Sequence, residues 1–190
     1  MAKSITSDVI KLKDVRLSFA DLFVAKAFSP GLKPTYRASF ILDPSNTAHA
    51  ATIAEIKAAM QKLAGEAFPG EKLGADRVCL KNGNTKSYDG WKDMIILTAS
   101  NTNRPVVVNG KRDPVAEGDR GAPYSGCYVN ATVTLWTQNN SFGKRINCNL
   151  RAVQFVRDGQ AFGVAPVDAE AEFEALGDTA DTGAGADFDI

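Results

Sequence analysis

One stretch, Gly126–Thr137, constrains the fold of this chain more than any other. Cys127, Val129, Ala131, Val133 and Leu135 occupy one phase, and Tyr128, Asn130, Thr132, Thr134 and Trp136 the other. A period of two places one set against a core and the other on the opposite face of a β-strand, and no helix can sort them that way. Gln138–Gly143 reads as a turn and Lys144–Val156 as the hairpin partner. Asp158-Gly159-Gln160 turns again into an extended segment over Ala161–Val164. A hairpin with one apolar face needs further strands to cover it, so the chain is mainly β.

The remaining segments supply those strands. Val9–Phe19 alternates with a slip of phase. Ile10 and Leu12 share one face, and Val15, Leu17 and Phe19 the next, with Lys11, Lys13, Arg16 and Ser18 between them. One extra residue near Lys13-Asp14 predicts a β-bulge, the device that bends a strand into a barrel. Thr35–Leu42 alternates again and ends at the turn Asp43-Pro44-Ser45-Asn46. A helix follows, capped by Asn46 or Thr47, with Ile53, Ile56, Met60, Leu63 and Ala67 at helical spacing. Gly65 and Phe68-Pro69-Gly70 stop it. Lys81–Trp91 reads as a loop, Met94–Ser100 and Pro105–Val108 as strands, and Lys111–Ala122 as a polar connection. Five main strands with one α-helix between strands 2 and 3 is the element count of an OB-type barrel. A five-stranded sandwich has the same count. The bulge and the single helix favour the barrel.

Charge divides the chain in two. It has 22 basic and 22 acidic residues, but eight acids follow Ala165 with no cation among them. The body therefore holds all 22 cations against 14 acids, a net of +8. Residues 1–166 read as the folded domain and 167–190 as a disordered acidic tail, too poor in large apolar groups to offset the cost of ordering. The polar N-terminus has no secretory h-region, and no apolar run approaches a membrane span, so the expected address is cytoplasmic, without a membrane partner. Cys79, Cys127 and Cys148 are odd in number and unpaired in spacing, which argues against a disulfide framework. Combined with His49 they would make a Cys3His zinc site. No two of them are close in sequence, and Cys127 and Cys148 fall on apolar strand faces, so no metal or other cofactor is expected. There is no P-loop, GxGxxG or GxSxG motif, and no carboxylate cluster in the body that could serve a metal-dependent nuclease. The chain reads as a non-enzyme.

A basic body carrying rings has the chemistry for single-stranded nucleic acid: cations follow the phosphates and aromatic faces stack on bases. Loop 81–92 interleaves the two in Lys81, Lys86, Tyr88, Trp91 and Lys92. The hairpin around 136–145 does so in Trp136, Phe142, Lys144 and Arg145. Trp136 lies on the polar phase of its strand, which suits stacking. Trp91 suits core packing equally well. Arg37, Arg104 and Arg151 are candidate phosphate contacts, and Tyr124 and Tyr128 flank the start of the main strand.

Five segments carry a family resemblance. They are Lys81-Asn82-Gly83, Tyr88-Asp89-Gly90-Trp91, Arg104-Pro105-Val106-Val107, Tyr124-Ser125-Gly126-Cys127-Tyr128-Val129 and Val153-Gln154-Phe155-Val156-Arg157-Asp158-Gly159. Over Val9–Val164 the chain resembles a group of bacteriophage single-stranded DNA-binding proteins, OB-fold proteins with an acidic C-terminal tail, similar in layout to those of T7-like phages. The resemblance implies sequence-independent binding of single-stranded DNA in phage replication or recombination, inside the host cytoplasm. It also implies a tail, here ending Asp187-Phe188-Asp189-Ile190, that competes for the groove and recruits replication or recombination proteins. Tails of this kind often finish on an aromatic residue, whereas here Ile190 is last. The expected DNA-binding set is Lys81, Lys86, Tyr88, Trp91, Lys92, Arg104, Tyr124, Trp136, Lys144 and Arg145. A β-sandwich particle or assembly protein is the alternative, though it leaves the opposed charges of body and tail unexplained.

Overall fold

The computed structural model describes residues 4–163. Strand β1 spans Ile10–Lys26, β2 Thr35–Leu42, β3 Leu80–Asn82, β4 Ile95–Asn101, β5 Val106–Val108, β6 Tyr128–Asn140 and β7 Gly143–Arg157. Helix α1, Thr47–Ala67, lies between β2 and β3.

The alternating run of β6 pairs along its whole length with β7, from Tyr128↔Arg157 to Asn140↔Gly143. Antiparallel pairing continues from β6 to β1, from β1 to β2 and from β2 to β4. A parallel bridge, Ser100↔Asn149, joins β4 to β7 and closes the ring β1–β2–β4–β7–β6. This closed five-stranded barrel sets aside the sandwich. β3 adds to the edge of β4, and β5 adds in parallel to β7. The helix stands between the second and third barrel strands, as the element count suggests.

Two slips shape β1. Pairing with β6 passes from Leu12↔Ala131 to Val15↔Val129, so one extra residue sits at Lys13-Asp14, and Asp14 takes φ 48°. This is the bulge expected from the phase change. A second lies further on, where pairing with β2 passes from Ser18↔Ser39 to Asp21↔Arg37 and Phe19 takes φ 49°. The second bulge turns Phe19 out of the apolar phase that alternation gave it, and its ring is 49% exposed. β1 also continues to Lys26, well beyond the expected Phe19, because its outer half pairs with β2.

Leu12, Val15, Leu17, Leu22, Phe40, Leu42, Leu97, Val129, Val133, Leu135, Ile146 and Leu150 fill the barrel. Ile53, Ile56 and Leu63 of α1 join the same core, at the spacing of one helical stripe. Asn46 is the N-cap, its Oδ1 accepting from the N–H of Ala48 at 2.9 Å and of His49 at 3.2 Å. Gly65 stays within the helix, and the stop comes at Phe68. Residues 4–7 run beside the outer half of β6, with Ser7 N–H donating to Leu135 O (2.8 Å) and Thr137 N–H to Ile5 O (2.9 Å).

The stretch read as loop Lys81–Trp91 is part strand: β3 occupies its start, and a short 3-10 turn follows over Gly83–Thr85. The β6–β7 turn is tighter than Gln138–Gly143, since β6 runs to Asn140. Ala161–Gly163 form no strand, because nothing pairs with them as a ladder. The acidic tail, 167–190, with Asp187, Phe188, Asp189 and Ile190, lies outside the described residues.

Candidate nucleic-acid interface

The outer face of β1, β2 and β4 carries two isoleucines where alternation calls for polar residues. Ile41 pairs with Ile96, and both are buried, at 5% and 0% exposure. Loop 83–93 covers them. Trp91 packs on Ile41 and Ile96 with Met94 and Phe162 beside it, forming a second apolar cluster outside the barrel wall. The indole N–H of Trp91 donates to Ser18 Oγ at 3.3 Å. Trp91 is only 6% exposed, so its ring is part of the wall and presents no open face.

Two exposed rings stand on Trp91. Tyr88 lies 4.9 Å from it and Phe19 5.8 Å, both edge-on, and Phe19 and Tyr88 are 4.8 Å apart. Such edge-to-face contacts hold aromatic rings in fixed directions. Tyr88 is 46% exposed, whereas the indole beneath it is buried. Lys81, Lys86 and Lys92 are exposed on the same β3–loop segment.

Strand register extends this patch sideways. Lys81 pairs with Ile96, Ile96 with Ile41, Ile41 with Arg16, Arg16 with Tyr128, and Tyr128 with Arg157. One row therefore crosses β3, β4, β2, β1, β6 and β7. Two guanidinium–ring stacks sit in it: Arg157 at 3.5 Å from the Tyr128 ring centre and Arg16 at 4.1 Å from that of Phe162. Both arginines are tethered. Arg157 donates from Nε and Nη2 to the two carboxylate oxygens of Asp14, each at 3.1 Å, an ion pair that raises its pKa above the usual arginine value. Arg16 donates to Gly126 O (3.2 Å) and Gln160 O (2.7 Å). The bulge at Asp14 is what delivers that carboxylate to Arg157.

The segments quoted from loop 88–91, from 124–129 and from 153–159 meet here. Tyr124 Oη donates to Asp158 Oδ1 (2.9 Å) or Gly159 O (3.0 Å) and accepts from Gly159 N–H (3.2 Å). Phe162 N–H donates to Ser125 O at 3.0 Å. Gly126, at φ 113°, lies directly against the backbone of Gln160, and Gly90, at φ 74°, against the Phe162 ring. Gly126 has no room for a Cβ, and a Cβ at Gly90 would push the Phe162 ring aside. The chain after β7 is thereby folded back over β1 to touch the Trp91 loop. Next to it a cavity of about 290 Å³ is lined by Arg16, Tyr128, Arg157, His49, Asp14 and Asp43, among others. His49 accepts from Asp43 N–H at its Nδ1 (3.1 Å).

At the far end of the same face, Asp21 pairs with Lys26 (2.6 Å) and Arg37 (3.0 Å), and Arg37 lies 5.6 Å from the ring of Phe28, which is 80% exposed. Asp21 stands opposite Arg37 in the β1–β2 ladder, one row beyond Ser18 and Ser39.

The residues read from sequence thus separate. Lys81, Lys86, Tyr88, Trp91 and Lys92 form one patch. Trp136, Lys144 and Arg145 lie on the β6–β7 hairpin. Within the barrel, β6 is parted from β2 and β4 by β1 on one side and β7 on the other. Trp136 is half-buried and bridged to Thr6. Lys144 pairs with Glu71, and Arg145 donates to Asp76 O (3.3 Å), so the hairpin is tied to the connector after α1. Tyr124 is occupied in clamping the 158–159 turn. Arg104 is exposed in the β4–β5 connection. Phe19, Phe28, Arg16, Arg157 and Phe162 complete the ring-bearing face, and the sequence reading did not single them out. Their signals were the five-residue step from Leu17 to Leu22, both buried, and the apolar triplets Phe40-Ile41-Leu42 and Ile95-Ile96-Leu97, which announce strands covered on both faces.

The cysteines do not assemble a metal site: among the described residues no group of three or more His, Cys, Asp or Glu comes together. Burial pushes the Cys127 thiol up to about 11, which keeps it protonated at neutral pH.

A closed five-stranded barrel in this strand order, with rings and guanidiniums along one row of its outer wall, defines an OB-type protein. Its family is given by the sequence. Residues 8–183 match the family described as the ssDNA-binding protein of Enterobacter phage Enc34, and the chain belongs to that family. Protein p50 of Acyrthosiphon pisum secondary endosymbiont phage 1 is 40% identical over 179 residues, covering 88% of this chain and 93% of that protein. The single-stranded DNA-binding protein from bacteriophage Enc34 in complex with ssDNA superposes with a TM-score of 0.74 at 26% identity, over 82% of this chain and 89% of the other. The C-terminally truncated Enc34 protein gives 0.69 at 26% identity, over 81% and 88%.

Proposed function

We propose that this chain binds single-stranded DNA without sequence preference on the outer face of β1, β2 and β4, and that it serves phage DNA replication or recombination in the host cytoplasm. Tyr88 and Phe19 supply the stacking surface, with Trp91 as their base, and Lys81, Lys86 and Lys92 meet phosphates. The row Arg16–Tyr128–Arg157 continues the path on one side and Phe28–Arg37 on the other. The observation that carries this reading is the shared fold with the Enc34 protein, whose structure holds ssDNA, joined to the exposed rings standing on Trp91. Backbone-following cations with rings that stack on any base give affinity without a sequence code. The eight acids after Ala165 match the ligand in charge. In this reading the tail competes with DNA for the cationic face, and its end, Asp187-Phe188-Asp189-Ile190, meets replication or recombination proteins once displaced.

A salt titration of labelled oligo-dT binding by the full chain and by residues 1–166 tests this. Three lysines without an ion pair among the described residues should contribute about −0.7 each to the slope of log K against log salt, so a slope of about −2 or steeper is expected. The shortened chain should bind more tightly, most clearly at low salt. No binding at low salt would remove the reading. Equal affinity of the two chains throughout would remove the competition.

A further inference from the structure

Beyond Arg157 the outer surface continues into a groove that the reading above does not use. It has a volume of about 240 Å³ and lies where β1, β6, β7 and β5 run side by side, with Lys11, Lys13, Thr132, Ala152, Val108 and Gln154 among its lining residues. The ladder explains its shape. Lys11 pairs with Thr132, Thr132 with Ala152, and Ala152 with Val106. Small side chains make the floor, lysines one wall and β5 the other.

The groove is set rigidly. Asp14 N–H donates to Asn130 Oδ1 (3.0 Å), Asn130 Nδ2 to Gln154 Oε1 (3.0 Å), and Gln154 Nε2 to Gly110 O (3.3 Å). This belt of amides crosses β1, β6, β7 and the turn after β5. It separates the groove from the Arg16–Tyr128–Arg157 row by one strand step, since Tyr128 and Asn130 are alternate residues of β6.

Its cations are free to act. Arg157, Arg37 and Lys26 are each held by a carboxylate, whereas Lys11 and Lys13 have no ion pair among the described residues. The same is true of Arg151, next to Ala152, and of Lys111 and Arg112, just past Val108. All five are exposed. Asp113, in that last turn, is engaged by Asn109 Nδ2 at 3.1 Å.

We infer that this groove is a second phosphate-binding track, taking a further stretch of the same single-stranded DNA after it passes Arg157. The inference rests on the proposed function. Lys11 and Lys13 stand two residues apart, about 7 Å along β1, a step comparable to that between successive phosphates of an extended strand. An apolar floor of small residues admits sugars and base edges. Continuity with the guanidinium row favours nucleic acid over an acidic peptide, which the same charges would also attract.

The test is a length series, dT6 to dT30, titrated with salt against the full-length chain and its Lys11→Glu/Lys13→Glu variant. A Lys57→Glu/Lys62→Glu variant on α1 carries the same change of net charge elsewhere. The shortest oligonucleotides should bind the groove variant and the α1 control alike. Beyond a threshold length the wild type and the control should keep gaining affinity, while the groove variant stops, falling at least about tenfold behind with a salt slope shallower by about 1.4. A deficit uniform across all lengths, or none at any length, overturns the second track. So does binding of a peptide of residues 184–190 that the groove variant loses while every dT length binds normally, because the groove would then take an acidic peptide. Failure of the wild type to bind any length instead removes the proposed function itself.

Discussion

Replacing Tyr88 by alanine should weaken oligo-dT binding by roughly five- to 150-fold, the equivalent of about 1–3 kcal/mol for one lost base stack. Nearly half of this residue is in solvent, and its ring meets Phe19 and Trp91 edge to face. Truncation therefore removes a stacking face while costing the fold little. Tyr88→Phe keeps the ring and should retain most of the affinity, since among the described residues the phenol makes no hydrogen bond that holds the ring in place. The salt slope should stay as it was for both variants, because no cation is lost. Trp136→Ala gives the contrast. That ring stands toward the hairpin end of β6, bridged to Thr6 and far along the strand from Tyr128, and its removal should change affinity by less than about threefold, well short of a lost base stack. Fluorescence polarisation of a labelled oligonucleotide at fixed salt measures all three. An unchanged affinity for Tyr88→Ala would displace the binding face from β1, β2 and β4.

Trp91→Ala should act first on stability. The indole fills the space over Ile41 and Ile96, with Met94 and Phe162 at its side, so its removal leaves a cavity between loop 83–93 and the sheet. Truncating a buried aromatic side chain costs about 3–5 kcal/mol. For a body of this size that lowers the melting temperature by about 6–20 °C. Trp91→Phe separates the packing from the polar contact. It refills most of the volume but loses the hydrogen bond to Ser18 Oγ, a deficit of about 1 kcal/mol. DNA affinity should fall with Trp91→Ala as well, since Tyr88 and Phe19 lose the surface that orients them. Differential scanning calorimetry and the same polarisation assay read the two effects. A variant that melts like the wild type would show that the wall does not depend on this ring.

These two residues show how far the sequence carries. Alternation in β6 and β7, the first bulge of β1 and the cap at Asn46 were all legible, because each depends on local spacing or on one side chain's reach. The first bulge and the single helix favour a barrel over a sandwich, and the bridge Ser100↔Asn149 closes it. Trp91 and Tyr88 stand together in sequence as candidates for stacking, and nothing local distinguishes the buried ring from the exposed one. Burial of Trp91 depends on Ile41 and Ile96, brought beneath it by pairing across some fifty residues of sequence. Alternation points Phe19 inward because the second phase slip, at Phe19-Ala20, has no charged marker such as Asp14 gives the first. Hairpin 136–145 carries the right residue types, but its partners Glu71 and Asp76 belong to a connector whose docking no periodicity reveals. Composition identifies the groups that suit the ligand. Register decides which of them share a face.

The wall of the barrel is joined unequally around its circumference. β6 and β7 are laced together from end to end, whereas β4 and β7 meet at the single pair Ser100↔Asn149, with one side-chain amide, Asn101 Nδ2 to Leu150 O at 3.0 Å, beside it. Breathing motions part a structure where the fewest bonds must break together. This cylinder therefore has a built-in seam. Amides that β4 and β7 turn toward each other across it should exchange with solvent deuterium by local opening, before those shared within the β6–β7 hairpin.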